Sequence, residues 1–217
     1  MNRSNIAMIA AAVAVLALGT PAAMGQALSV DASGARKVTL SDKVGRNQFA
    51  WTSDAPLEKI KGTAEGVGGT LTLNPKDLGT LKGTVSVKVE TMKTGNGTRD
   101  GHLKSAQWLD AAKYPTISFT IASVSNVKVN GTSATGTATG KFTMHGVTRT
   151  MSIPFKLTYI DESAATRKRA PGDLVSISAD FEIALADFNV AGTKGTVGSK
   201  VGEKIEISAQ LFGSTGL

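Results

Sequence analysis

The chain of 217 residues carries a formal charge of +7 at pH 7 and contains no cysteine. The lack of cysteine excludes disulfides and a lipid-modified cysteine at a processed N-terminus. Because the basic residues are dispersed and are not interleaved with stacking aromatic side chains, nucleic acid is not an expected partner. Two histidines occur, and no HExxH spacing is found, so we expect no metal site.

The first 25 residues have the pattern of a secretory signal peptide. A basic start, Met1-Asn2-Arg3, precedes the apolar run 6–18, and small residues follow at Ala22, Ala23 and Gly25. The apolar run is too short to span a bilayer. We therefore predict a signal peptide at 1–25 and a single domain at 26–217, exported as a soluble protein to a bacterial periplasm.

The region before residue 80 predicts a loose arm, short strands and turns. The polar stretch 26–35 is expected to be a loose N-terminal arm. Residues 56–59 predict one helical turn, and Asn-Pro-Lys-Asp at 74–77 is typical of a tight turn. Short strands are predicted at 38–40, 47–52, 60–64 and 69–73.

The stretch 99–119, RDGHLKSAQWLDAAKYPTISF, concentrates Arg, Asp, His, Trp, Tyr and Pro among otherwise repetitive Thr, Val and Gly. Apolar residues recur three apart over 100–112 and predict a helix there, capped by Thr98 or Asp100. The helix should end before Pro115, because the residue before a proline is pushed towards extended geometry. A strand containing Ile117 and Phe119 is expected to follow.

The second half of the chain alternates apolar and polar residues with a period of two. This pattern is typical of antiparallel strands with one buried and one solvated face, and the Asn130-Gly131 pair indicates a tight hairpin. The alternating runs lie near 85–89, 117–121, 142–144, 151–159, 175–185 and 205–211.

We therefore expect a single mainly β domain, with no composition break to mark a second one. Periodicity does not decide between a closed barrel and a sandwich. Closure is favoured because it leaves no exposed sheet edge. The inward positions are mostly Val, Ile, Leu, Ala and Met, and such side chains would leave a wide barrel underfilled, with an apolar cavity for a ligand.

The residues that could carry chemistry give little support for an enzyme. His102 and His145 fit a hydrogen-bonded cluster and a turn better than a catalytic pair, and no GxSxG elbow occurs. The glycine-rich stretch 192–200 lacks the ending of a phosphate loop and is expected to be a flexible connection. The basic triplet 167–169 is expected to lie in a solvated loop, with contact to an anionic membrane as the alternative.

Three segments resemble a known family: 99–119, GKFTMHGVTRTMSIPF at 140–155 and FEIALADFNV at 181–190. In order, spacing and content they resemble the YceI-like family of exported proteins over about residues 48–211. The resemblance implies an antiparallel, lipocalin-like β-barrel of about eight strands, covered in part by one α-helix. It also implies that the barrel holds a polyisoprenoid, an isoprenoid quinone or a similar amphiphile, with no catalysis and no other cofactor.

The resemblance maps onto individual positions. Its motif residues are Arg99, Asp100, His102, Tyr114, Pro115, His145 and Gly146, for which we predict structural roles, the first three fastening the helix to the barrel. Two positions depart from the family pattern, since Leu185 and Asn189 stand where an arginine and a glycine are usual. An early histidine-serine element is also missing. We expect the loss of the charged side chain to change the headgroup that the barrel prefers.

We predict a lipid carrier as the function, and the alternative is a structural or stress-related interaction protein with a filled barrel. Expected partners are the lipid and, transiently, an anionic membrane, while a homodimer is left open. The side chains predicted to contact ligand are Val85, Val87, Val89, Leu103, Trp108, Leu109, Ile117, Phe119, Phe142, Met144, Ile153, Phe155, Ile177, Phe181 and Ile183.

Overall fold

The computed structural model describes residues 27–217, so the predicted signal peptide lies outside the described residues. The described residues form eleven β-strands and one α-helix. In chain order these are β1 (Arg36–Leu40), β2 (Gln48–Asp54), β3 (Lys59–Ala64), β4 (Val67–Asn74), β5 (Asp77–Lys88), β6 (Met92–Lys93), α1 (Gly97–Lys104), β7 (Thr116–Asn130), β8 (Ser133–Met144), β9 (Val147–Ile160), β10 (Leu174–Ala184) and β11 (Lys204–Ser214).

Eight of these strands close into an antiparallel barrel. The order is β1-β4-β5-β7-β8-β9-β10-β11, and β11 returns to β1 through the pairs Thr39 with Ser214 and Leu40 with Gly213. The predicted barrel with one helix is therefore confirmed, and the sandwich is wrong. Closure pairs the outer edges of β1 and β11, which would otherwise be the two ends of the eight-stranded sheet.

The strand β11 is longer than β1 and takes a second partner at its other end. There β2 pairs with it, from Ile205 opposite Ser53 to Gln210 opposite Gln48, and β3 and β6 extend the wall from β2. At the junction between β1 and β2, the buried Asn47 accepts a hydrogen bond from Phe212 N at 2.7 Å. The Asn47 side chain thus accepts from a backbone N–H of β11 at the point where the neighbour of β11 changes from β2 to β1.

The barrel has two ends, which we call the base and the mouth. The base carries the tight turns β4–β5 and β7–β8, the connection 161–173 and the N-terminal arm. The mouth carries the β2–β3 connection, α1 with the segment 105–115, the β8–β9 turn and the connection 185–203. The predicted turn at 74–77 and the hairpin at Asn130-Gly131 are both confirmed.

The N-terminal arm is packed against the base, so the expectation of a loose arm is wrong. Leu28, Val30 and Ala32 are buried in the core of the base. Leu28 N donates to Pro75 O and Ser29 N to Gly131 O, each at 2.9 Å. The arm therefore spans two tight turns and closes this end of the barrel.

The helix is shorter than predicted and begins earlier. Asn96 caps it by accepting a hydrogen bond from Arg99 N at 3.1 Å, in place of the predicted Thr98 or Asp100. After Lys104 the chain continues as successive turns, with Asp110 at φ +46°. These turns bury Leu109 without a helix, which is why its three-residue spacing was misleading. The predicted helical turn at 56–59 is also wrong, because this segment forms a tight turn between β2 and β3.

Candidate ligand cavity

An apolar cavity of about 480 Å³ occupies the barrel interior towards the mouth. Pockets for small ligands usually measure about 300–1,000 Å³. Below the cavity the base is filled by a cluster that includes Leu28, Leu73 and Tyr159, each at most 1% exposed. The cavity is therefore a chamber with a packed floor, and its polar lining residues lie mainly at the mouth.

Nearly every side chain predicted to contact ligand lines this cavity; Val89 alone does not. The lining contains Val85, Val87, Leu103, Trp108, Leu109, Ile117, Phe119, Phe142, Met144, Ile153, Phe155, Ile177, Phe181 and Ile183. Val89 is buried in a 3₁₀ turn, Val89–Thr91, that follows the end of β5. The two-residue alternation ends with the strand, so the parity of Val85 and Val87 does not extend to Val89. Contact of the lining with a ligand stays a prediction.

The sequence reasoning missed much of the wall. The missed side chains come mainly from β2, β3 and β11, and their signal was the same two-residue period seen elsewhere. They include Phe49, Trp51, Ile60, Ile205, Ile207, Ala209 and Leu211. For β2 and β3 the runs were too short to show which face pointed inward; for β11 the apolar face of 205–211 was predicted, but its residues were not included among the ligand contacts.

Polar side chains gather where the cavity reaches the mouth. Arg99 on α1 pairs with Glu58 of the β2–β3 connection at 2.5 Å, and both line the cavity. His102 and Lys200 line the same end. The lining therefore combines an apolar chamber with a small set of charged and hydrogen-bonding groups at its entrance.

The start of α1 is tied down by side chains that the sequence indicated. Asp100 accepts hydrogen bonds from Thr94 N at 2.7 Å and from Thr94 Oγ1 at 2.6 Å. The hydrogen bond from the Thr94 hydroxyl is the largest influence lowering the pKa of the Asp100 carboxyl. Arg99 reaches the β2–β3 connection, so these two residues link α1 to separate parts of the wall. His102 is exposed at the mouth and faces the cavity instead.

The other motif residues meet at the β8–β9 turn. His145 and Gly146 have φ values of +50° and +74°, the left-handed pair that a two-residue hairpin requires. His145 Nδ1 lies 3.1 Å from Phe188 O, and the Tyr114 ring stands edge-on to the imidazole at 5.0 Å. Pro115 O accepts a hydrogen bond from Val89 N at 3.0 Å. The motif thus connects this turn with the segment 105–115 and the connection 185–203.

A family model of the YceI-like domain matches residues 38–212. The chain belongs to the YceI-like family. Protein YceI of Salmonella arizonae and that of Salmonella newport are each 31% identical to it over 142 residues, which covers 65% of this chain and 69% of those proteins.

Solved structures show the same fold at low identity. This YceI-like chain resembles BcnA of Burkholderia cenocepacia with a TM-score of 0.62 and 17% identity, covering 76% of this chain and 95% of BcnA. It also resembles a polyisoprenoid-binding domain from Saccharophagus degradans implicated in plant cell wall breakdown. There the TM-score is 0.60 and the identity 12%, covering 83% of this chain and 99% of that domain.

Both tryptophans of the YceI-like chain line the cavity. A Cβ on Gly62 would collide with the Trp51 ring, and a Cβ on Gly192 would lie 2.5 Å from the Trp108 ring, so each ring packs against a glycine that leaves no room for a side chain. Trp51 Nε1 is buried without a hydrogen-bond partner among the described residues. An unpaired buried donor is unfavourable by about 1–3 kcal/mol.

The two departures from the family pattern lie side by side in this YceI-like structure. Leu185 is buried and lines the cavity, so an aliphatic side chain stands where the family pattern suggests a guanidinium. Asn189 has φ +56°, a left-handed conformation that asparagine tolerates better than most residues. The second replacement therefore keeps the local backbone, while the first removes a positive charge from the wall.

Within residues 27–217, no three His, Asp or Glu side chains come together in a way that suits a metal ion. Among these residues, no helix has both the length and the hydropathy needed to cross a bilayer.

Proposed function

We propose that this protein binds a polyisoprenoid, an isoprenoid quinone or a similar long-chain amphiphile in the barrel cavity and carries or stores it without chemical change. The observation that carries the proposal is the chamber of about 480 Å³, apolar along its wall and polar at its mouth. Such an arrangement suits a molecule with a long apolar tail and a small polar head. The structural resemblance to a polyisoprenoid-binding domain supports the same ligand class.

Burial of the tail supplies the binding energy. Each buried CH₂ group contributes about 0.8 kcal/mol, or about 4 kcal/mol for a five-carbon isoprene unit. Association costs about 4–15 kcal/mol in lost freedom. A tail of about four units therefore offsets this cost, and shorter tails bind weakly. Because the base is packed, the depth of the chamber limits how much tail is buried.

The head is expected to carry a hydrogen-bond acceptor. His102 and Lys200 offer donors at the mouth. The positive charge of Arg99 is already balanced by Glu58, and Leu185 adds no charge. These groups suit an oxygen-bearing head such as a hydroxyl or a quinone carbonyl.

The proposed setting is the periplasm, which rests on the signal-peptide pattern of residues 1–25. The cavity weighs against the alternative of an interaction protein with a filled barrel. Light scattering on the purified protein tests for the homodimer that the sequence leaves open.

Extraction of the native ligand tests the proposal. The full-length chain is expressed in a bacterium, purified from the periplasmic fraction and extracted with organic solvent for mass spectrometry. We expect one isoprenoid molecule per chain. An extract without stoichiometric isoprenoid, combined with no uptake of added polyprenol or menaquinone, would refute the carrier function.

A further inference from the structure

The mouth exposes a large apolar side chain on a tightly held loop. Leu57 is 73% exposed, the highest value among the large hydrophobic residues described. Its loop is closed by hydrogen bonds between Ala55 and Glu58 in both directions, at 3.0 and 3.3 Å. Leu57 N also donates to Ser199 O at 3.2 Å. The backbone therefore holds this side chain outward, next to Glu58, which lines the cavity.

Positive charge lies beside this apolar tip. Lys194 and Lys200 are both exposed on the connection 185–203, and Lys200 adjoins the residue that binds the Leu57 backbone. Neither lysine forms an ion pair with any residue in the range 27–217. The acidic residues at the tip of the β2–β3 hairpin are already paired, Asp54 with Lys59 and Glu58 with Arg99. The rim thus places an apolar point beside Lys200, with Lys194 on the same connection. Asp187 and Glu203 are also exposed there without an ion pair among the described residues, so the lysines act as separate contact points and not as a patch of net positive charge.

The base shows a different arrangement. The basic triplet 167–169 lies there, away from the mouth, and Arg167 is held by Glu162 through two hydrogen bonds of 3.0 and 2.9 Å. Ile160 is 46% exposed at the same end. However, the N-terminal arm and the packed core separate this end from the cavity. A membrane contact through the triplet would direct the mouth away from the bilayer.

We propose that the mouth docks on the surface of an anionic lipid bilayer. Leu57 enters the boundary between headgroups and acyl chains, and Lys194 and Lys200 contact lipid phosphates. This inference rests on the proposed function, because docking at the mouth lets an isoprenoid pass between bilayer and cavity without crossing water. A single exposed leucine is ordinary on a protein surface, and it is the combination with charge and position at the entrance that indicates a membrane.

Vesicle co-sedimentation tests the docking surface. Wild-type protein is mixed with vesicles of phosphatidylcholine, alone or with added phosphatidylglycerol, and we expect tighter binding to the anionic vesicles. Leu57→Ser should weaken binding about tenfold, the effect of losing a partly inserted side chain. The pair Lys194→Gln and Lys200→Gln should weaken binding about tenfold or more, on anionic vesicles only.

Matched controls come from the base. Ile160→Ser removes an exposed apolar side chain, and Lys168→Gln with Arg169→Gln removes two exposed charges. These variants should bind vesicles as the wild type does. Docking at the mouth is wrong if the base variants lose as much vesicle affinity as the mouth variants. It is also wrong if Leu57→Ser binds vesicles as the wild type does, or if added phosphatidylglycerol does not increase binding of the wild type. Thermal unfolding of each variant checks that the fold is kept.

The same samples separate this inference from the proposed function. The ligand content of wild type and Leu57→Ser is measured by extraction, and both should hold equal amounts, because Leu57 does not line the cavity. If the wild type holds isoprenoid but does not bind vesicles, only the docking proposal is refuted. If the wild type binds vesicles through Leu57 but holds no isoprenoid, only the carrier function is refuted.

Discussion

Filling the middle of the chamber should weaken ligand binding without harming the fold. Ala138 on β8 is 4% exposed and lines the cavity. Ala138→Leu adds three carbon atoms on the cavity side of the wall. If they displace an equal number of ligand carbons, the lost burial is about 2.4 kcal/mol, or about 50-fold in the dissociation constant. The unliganded protein should be as stable as wild type or more stable, because the new side chain occupies empty space.

The two tryptophans provide the assay, since both line the cavity and their emission reports occupancy. Wild type and Ala138→Leu are titrated with isoprenoids of increasing tail length, and the two proteins should diverge once the tail reaches Ala138. Ala122→Leu, at an exposed position of the neighbouring strand β7, is the control and should bind as wild type does. Equal affinity of wild type and Ala138→Leu for every tail length, with unchanged stability, would refute the reasoning. A lower melting temperature would indicate overpacking instead.

Three further outcomes follow from the structure. Leu28→Ala should lower the free energy of unfolding by about 2–5 kcal/mol in urea titrations, because Leu28 is 1% exposed in the core of the base. Gly146→Ala should lower it by at least about 1 kcal/mol, since the residue has φ +74° and the new Cβ would lie 2.5 Å from the Tyr114 ring. The hydrogen bond from Arg167 lowers the pKa of Glu162 to about 2 from its ordinary value of 4.5, so its stabilisation is complete above pH 4.5 and is lost as the pH falls towards 2. Hydrogen exchange in the connection 161–173 should show this loss, and Glu162→Gln should remove it.

Each of these outcomes has a clear opposite. A neutral Leu28→Ala would mean that the arm is loose after all, as the sequence first indicated. A fully stable Gly146→Ala would mean that the β8–β9 turn tolerates a side chain. If the wild type and Glu162→Gln show the same exchange between pH 4.5 and 2, the carboxyl does not hold the connection.

Strand character was readable from the sequence because one face of each strand is buried and the period of two is strict. The regular runs of β8, β9 and β10 gave correct cavity residues, such as Phe142, Ile153 and Ile177. The pattern failed where geometry changed within a run, as at Val89, where β5 passes into a 3₁₀ turn. It also failed where a run was short, as in the arm around Leu28.

The rest of the site depends on partners that lie far apart in the chain. Glu58 and Arg99 are 41 residues apart, and neither position alone indicates the other. The same holds for Trp51, whose orientation follows from packing on Gly62 of the next strand. Local patterns therefore predicted the apolar wall, while the polar mouth needed the three-dimensional arrangement.

The change of pairing partner along β11, bridged by Asn47, divides the wall into two sections. Closure and the packed floor belong to the section built on β1 and β4, whereas Trp51, Glu58 and Leu57 belong to the hairpin of β2 and β3. Substitutions in that hairpin leave the pairing of β1 with β11 intact. The hairpin should therefore be exchangeable between members of the family. Grafting it from another member should transfer that protein's headgroup preference, while the receiving barrel keeps its strand register and the depth of its cavity.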